Sequence, residues 1–163
     1  MATTNEQVIG TLNHLLAICI GSVQRFRLAA DVVTDGHLKS LLKQYSHQRE
    51  RMASELRMEV RLLGGEPEGI YDLATPLGMP RFSYAKTDEE DRVIIAECER
   101  DEAVAVEAYR SALDDTNIPA ELRKRLLHHS VQVREAHDRI LALGATVVTG
   151  LTPNRSLNSS PSC

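Results

Sequence analysis

A chain of 163 residues, of which 42% are hydrophobic and 26% charged, is long enough for one globular domain with a sizeable core. A net charge of −4, no tryptophan and only 4% aromatic residues argue against a nucleic-acid binder, which needs a basic face and stacking side chains. No apolar run approaches the ~20 residues that span a bilayer, and the N-terminus lacks the pattern of a signal peptide. We therefore expect a cytoplasmic protein that binds neither membranes nor nucleic acid, with its three cysteines reduced.

The first predicted helix covers about residues 4–34. Apolar residues recur in alternating steps of three and four, as on a helix with one face against a partner. Thr3 and Glu6 have the spacing of a capping box at its start. The apolar stripe consists of Ile9, Leu12, Leu16, Cys19, Val23, Phe26, Ala30 and Val33.

The second predicted helix covers about residues 37–63 and is ended by Gly64-Gly65. Its stripe consists of Leu38, Leu41, Leu42, Tyr45, Gln48, Arg49, Met52, Leu56, Val60 and Leu63. Because Asp35-Gly36 leaves only a short turn, the first two helices should form an antiparallel hairpin.

Residues 66–86 are rich in proline and glycine and are too many for a simple turn. At ~3.3 Å per extended residue the segment could travel the full length of a helix. We predict that it crosses over between helices two and three, with a short helical turn near residues 70–74.

The third predicted helix covers about residues 88–114. Thr87 and Glu90 have capping-box spacing at its start. Its stripe consists of Asp91, Ile95, Cys98, Glu102, Ala105, Tyr109 and Ala112.

The fourth predicted helix begins at Pro119, a favoured first-turn residue, and ends before Gly144. Its inner face consists of Leu122, Leu126, His129, Val133, His137 and Ile140. Residues 145–163 are rich in small polar residues and read as a disordered tail. The pattern therefore predicts one all-α domain, a four-helix bundle over residues 4–144, followed by that tail.

Glu102 interrupts an apolar stripe, and a buried carboxylate needs a partner. Arg49 on the second helix could form a bidentate ion pair with it, or His129 or His137 on the fourth could donate a hydrogen bond. In this interpretation the inward polar residues satisfy one another and set the register of the helices.

A metal site is the alternative. A di-iron bundle needs a glutamate from each of two helices and a Glu-x-x-His pair from each of the others, and this sequence does not supply them. A mononuclear iron, zinc or manganese site could use Glu102, His129 and His137, with Cys19 or Cys98 as a further ligand.

Several motifs resemble a bacterial family of ferritin-like four-helix-bundle proteins of unknown function, within the rubrerythrin and ferritin-like superfamily. They are Leu12-Asn13, residues 26–30 (FRLAA), 55–67 (ELRMEVRLLGGEP), 97–102 (ECERDE) and 136–139 (AHDR). The resemblance implies a ferritin-like fold with the long connection between helices two and three, and it implies no established activity.

The first helix departs from that family, which is richer in glutamate where this chain has Ala17, Ile20 and Gln24. Of the residues that the resemblance would make metal ligands, only Glu102 and His137 remain.

Two functions are consistent with these patterns. The first is a non-enzymatic bundle with a buried polar layer in place of a complete di-iron site, which needs no cofactor and acts through self-association or a protein partner. The alternative is an iron-, zinc- or manganese-dependent oxidoreductase or storage protein. The sequence identifies no catalytic residue and does not decide whether the chain is an enzyme. A homodimer or higher homo-oligomer would use apolar residues outside the stripes, namely Leu15, Ile18, Ile20 and Val106.

Overall fold

The computed structural model describes residues 1–68 and 88–148, and within these ranges it contains four α-helices and no strand. The helices are α1 (Thr4–Val32), α2 (Gly36–Leu62), α3 (Asp88–Asp114) and α4 (Ala120–Val148). The predicted class, an all-α four-helix bundle, is confirmed. None of these helices has an apolar stretch that could cross a membrane within the described ranges.

The helix ends follow local chemistry. Thr3 and Glu6 form the predicted capping box, because each side chain bonds the backbone N–H of the other residue. Asp35 caps α2 by accepting from the N–H of Leu38 at 2.7 Å. Gly64 adopts φ +81° just beyond α2, a left-handed conformation that favours glycine. The predicted Thr87 cap lies outside the described residues.

The predicted end of α4 before Gly144 was wrong, because the helix continues to Val148. A helix tolerates an internal glycine at a cost of about 1 kcal/mol relative to alanine. Gly144 lies against α3, where an added Cβ would come within 3.4 Å of Ile95. Gly144 therefore continues the helix at a point where α4 is in contact with α3.

The four helices form two antiparallel hairpins, α1–α2 and α3–α4, which pack on each other. α1 runs antiparallel to α3, since Cys19 meets Tyr109 and Thr34 meets Asp91. The end of α2 and the start of α3 therefore lie at opposite ends of the bundle. The predicted crossover between α2 and α3, with its short helical turn near residues 70–74, lies mostly outside the described residues.

Side-chain hydrogen bonds fix the residues just after α2 and the start of α3. The Asn13 side chain donates to the Glu66 carbonyl at 3.1 Å and accepts from the Glu68 N–H at 3.0 Å. At the other end of the bundle, the Asp91 carboxylate accepts from the Thr34 N–H, the Thr34 hydroxyl and the Asp35 N–H. The carboxylate thereby satisfies donors in the α1–α2 turn.

The predicted dimer face, which combined residues of α1 and α3, was wrong. Leu15 is 0% and Ile20 7% exposed, and Ile18 and Val106 also pack against the core. A helix that contacts two neighbours buries a wider apolar face than one stripe in three–four spacing.

Candidate functional site

The middle of the bundle contains a buried ion pair. Arg49 on α2 donates from Nη2 to Oε2 of Glu102 on α3, and both side chains are 1% exposed. This confirms the pairing predicted from the interrupted stripe. Glu102 is held there by the apolar residues on either side of it along α3, and Arg49 by those along α2.

The ion pair divides the core into two apolar halves. Met52 and Ala105 belong to one half, whereas Leu42 and Cys98 belong to the other. The polar layer thus lies between two hydrophobic clusters that extend over all four helices. A shift of either helix along its axis would separate the charges within a medium of low dielectric constant, so the pair favours one register.

The ion pair makes one direct contact rather than the predicted two. Among the described residues, Arg49 Nε and Glu102 Oε1 are buried without a hydrogen-bond partner. They are the two atoms that a second, side-on contact would join. Other groups complete the surroundings of the guanidinium. Arg49 Nη1 donates to Gln48 Oε1 at 2.6 Å and to Met52 Sδ at 3.5 Å, and the group lies 5.9 Å from the centre of the Phe26 ring.

Burial raises the pKa of Glu102, while the charge and hydrogen bond of Arg49 act in the opposite direction. Arginine stays protonated at any ordinary pH, so the pair always contains a cation. The layer therefore holds a permanent positive charge beside its one carboxylate.

A second set of polar side chains, one from each helix, extends from the core to the surface. Cys19 Sγ lies 3.4 Å from the Tyr109 hydroxyl, which lies 3.2 Å from His129 Nδ1. His129 Nε2 lies 2.7 Å from Oε2 of Glu55, whose side chain is 43% exposed. Arg125 also contacts the Glu55 carboxylate, at 3.2 Å. We call Cys19, Tyr109, His129 and Glu55 the polar chain.

The acid–base states of the polar chain follow from its burial. Burial lowers the pKa of His129, although the hydrogen bond and charge of Glu55 oppose this. Burial alone would raise the pKa of Glu55, but His129 and Arg125 lower it overall. At neutral pH the imidazole is therefore neutral and Glu55 is a carboxylate.

Burial also disfavours the charged form of the two buried cysteines. Burial raises the pKa of Cys19 to about 11 and that of Cys98 to about 12. Thiolates are the nucleophiles and metal ligands, so burial disfavours at both cysteines the state that this chemistry requires.

The three predicted metal ligands have different protein partners. Glu102 pairs with Arg49, His129 belongs to the polar chain, and His137 lies 2.9 Å from Glu99. Within the described ranges no three His, Cys, Asp or Glu side chains converge as a metal site would require. His137 is also less deeply buried than the inner-face prediction implied, since Ala136 takes the innermost position on α4.

Sequence reasoning missed Glu55 as the outer end of the polar chain. The residue lies 74 positions from His129 and outside the stripe of α2, so no local spacing connects them. The sequence signal for Glu55 was a carboxylate next to a stripe position. Such carboxylates are too common on helix surfaces to identify this one.

Taken together, the two hairpins, the end of α2 and the start of α3 at opposite ends of the bundle, and the inward polar layer define a ferritin-like four-helix bundle. A family model described as "Domain of unknown function (DUF2383)" matches residues 7–115, two thirds of the chain, and the chain belongs to this family. The matched region covers α1 to α3. The predicted membership of a ferritin-like family of unknown function is confirmed.

Two solved structures share the fold. One is a two-domain protein from Anabaena variabilis with DJ-1/ThiJ/PfpI-like and ferritin-like domains, at a TM-score of 0.71 and 14% identity over 99% of this chain. The present chain spans only 42% of that protein's length. The other is the Desulfovibrio desulfuricans bacterioferritin, whose structure shows a diiron site in different catalytic states. Its TM-score is 0.69 at 17% identity, over 91% of this chain and 86% of the bacterioferritin. No functionally curated protein matches the sequence significantly.

Proposed function

We propose that this protein is a non-enzymatic ferritin-like bundle in which an ion pair takes the place of metal ions, and that it works by self-association or by binding a protein partner. The observation that carries the proposal is the Arg49–Glu102 pair, fully buried in the centre of the bundle. In a di-iron bundle the central carboxylates are neutralised by metal cations. Here a guanidinium supplies the positive charge.

The residues around the pair support the proposal that the guanidinium takes the place of metal cations. At the level of Glu102, α2 contributes Arg49 and Met52 at the i, i+3 spacing at which a di-iron bundle has glutamate and histidine. The register of the α3–α4 contacts places the fully buried Val133 and Ala136 of α4 near the same level. Because the groups at these positions are apolar, Glu102 is the single carboxylate of the layer within residues 1–68 and 88–148.

An interaction role is supported by apolar side chains on the surface. Met58 and Leu62, one helical turn apart on α2, are 60% and 73% exposed and border a groove of about 430 Å³. Large exposed side chains at i and i+4 give a helix face that another helix can cover. We propose that self-association uses this face of α2.

Metal analysis tests the first half of the proposal. Protein purified from cells grown with added iron, zinc and manganese should contain much less than one metal ion per chain by mass spectrometry. Stoichiometric metal that is lost in Glu102→Ala and retained in a surface variant, Glu121→Ala, would instead support the metal-binding oxidoreductase or storage protein.

Sedimentation velocity tests the second half. We expect a dimer or larger assembly whose dissociation is favoured by Leu62→Ser and unaffected by Val104→Ser, a matched change at an exposed residue of α3. A protein that is monomeric at all concentrations would contradict self-association through this face.

A further inference from the structure

Ionisable side chains connect α2 to α4 near one end of the bundle. The His129 imidazole contacts Glu55, and Arg125 contacts Glu55 at 3.2 Å and Glu59 at 2.8 Å. We call these four residues the α2–α4 joint. Since α2 belongs to one hairpin and α4 to the other, the joint links the two halves of the fold.

The protonation of His129 sets the direction of every hydrogen bond in the polar chain. In the neutral state Nε2–H donates to Glu55, so Nδ1 has to accept from the Tyr109 hydroxyl. Tyr109 then accepts from the Cys19 thiol. A proton on Nδ1 would remove the acceptor, and the hydroxyl would have to turn and donate to sulfur, a weak acceptor.

A charged imidazole at this position would be held by one carboxylate that is already shared. His129 is 0% exposed, and Glu55 also contacts Arg125 from the same helix as His129. The ionisable groups that face His129 or its partners come from all four helices. They are Cys19 on α1, Arg49, Glu55 and Glu59 on α2, Glu102 and Tyr109 on α3, and Arg125 and His128 on α4.

We propose that the α2–α4 joint is an acid-sensitive connection between the two hairpins, which opens when the buried imidazole of His129 takes up a proton. Opening brings the imidazolium into water, where its charge is solvated. The Tyr109 hydroxyl then no longer has to donate to the Cys19 sulfur. The apolar cluster that contains Phe26, Leu42 and Ile140 and the α1–α2 turn stay closed, because they include no residue of the joint. The proposal does not depend on whether the bundle self-associates.

The sign of the effect follows from the burial of the imidazole. The pKa of His129 is lowered in the closed state, whereas an exposed imidazole titrates near 6.5. Below about pH 6.5 the open state binds more protons than the closed state, so opening becomes more favourable as the pH falls. One proton limits the rise to about tenfold in the opening constant per pH unit.

Hydrogen exchange on the full chain, corrected for the intrinsic effect of pH, measures this opening. Between about pH 7.5 and pH 5 we expect amides in residues 55–62 and 122–132 to lose protection by up to about tenfold per pH unit. Amides around the Asp91–Thr34 contact should keep theirs. Protection of the joint that does not change with pH, or that falls equally throughout the chain, would overturn the proposal.

Two variants separate His129 from its neighbour. His129→Gln should remove the pH dependence, and His128→Gln, an exposed residue of the same helix, should retain it. The opposite pattern would refute the assignment. If His129→Gln does not fold, imidazole ¹⁵N resonances of the wild type provide the test: Nδ1 of His129 should be unprotonated at neutral pH and titrate together with the loss of protection. A protonated Nδ1 at neutral pH would equally exclude the mechanism.

Discussion

The Arg49–Glu102 pair makes a quantitative prediction about stability. Both side chains are 1% exposed, so a single substitution leaves a charge in a medium where water cannot solvate it. Breaking a buried pair in this way costs about 3–5 kcal/mol of unfolding free energy. We therefore expect losses of that order for Glu102→Leu and a smaller loss for Arg49→Met.

The difference between the two single variants has a chemical cause. In Arg49→Met the remaining Glu102 can take up a proton and become neutral, whereas in Glu102→Leu the remaining guanidinium cannot lose one. Removal of Arg49 also removes the group that lowers the pKa of Glu102 against the effect of burial. With the folded pKa above the unfolded value, Arg49→Met should be more stable near pH 5 than near pH 8.

The double variant completes the thermodynamic cycle. Arg49→Met with Glu102→Leu leaves no buried charge, and apolar replacement of a buried pair is often neutral or stabilising. The double loss should therefore be smaller than the sum of the single losses by at least about 2 kcal/mol. Urea unfolding followed by far-ultraviolet circular dichroism is suitable, since the chain has no tryptophan to report by fluorescence. Additive single effects would refute the role of the pair.

Three further predictions concern individual hydrogen bonds. Tyr109→Phe should cost about 1–3 kcal/mol in urea unfolding, because the buried Nδ1 of His129 loses its donor; a loss below about 0.5 kcal/mol would contradict the hydrogen-bond assignment. Burial lowers the pKa of His137, but Glu99 and Asp138 raise it overall. The stabilising effect of this histidine is therefore complete below about pH 6.5 and is lost above the folded pKa. In urea unfolding, His137→Gln should be more destabilising at pH 5.5 than at pH 8. Asp91→Ala should cost about 2–3 kcal/mol and raise amide exchange at Thr34, and unchanged exchange there would count against the contact.

Much of the fold was predictable from residue spacing. The stripes, the Thr3 cap and the Asp35-Gly36 turn identified the helices within about two residues at most ends, because these features act through neighbours in sequence. The exception at Gly144 shows the limit of such local signals. Whether a glycine ends a helix depends on what packs against it, and Ile95 lies on another helix.

The candidate site was predictable only in part. Glu102 stood out because it interrupts an apolar stripe, and Arg49 was one of three partners that could neutralise it. The choice among them needed the distances between helices. Leu15 and Ile20 were misplaced on the surface because the sequence does not specify how many neighbours α1 has.

The sequence by itself determined that this chain forms four amphipathic helices with a carboxylate in the core, since periodicity and the energetic cost of burying a charge are local properties. Only the tertiary structure decided that Arg49 neutralises that carboxylate, and that Cys19, Tyr109, His129 and Glu55 form a chain from the core to the surface. These contacts join residues on different helices, and their geometry depends on the packing of the two hairpins, which helical periodicity does not encode.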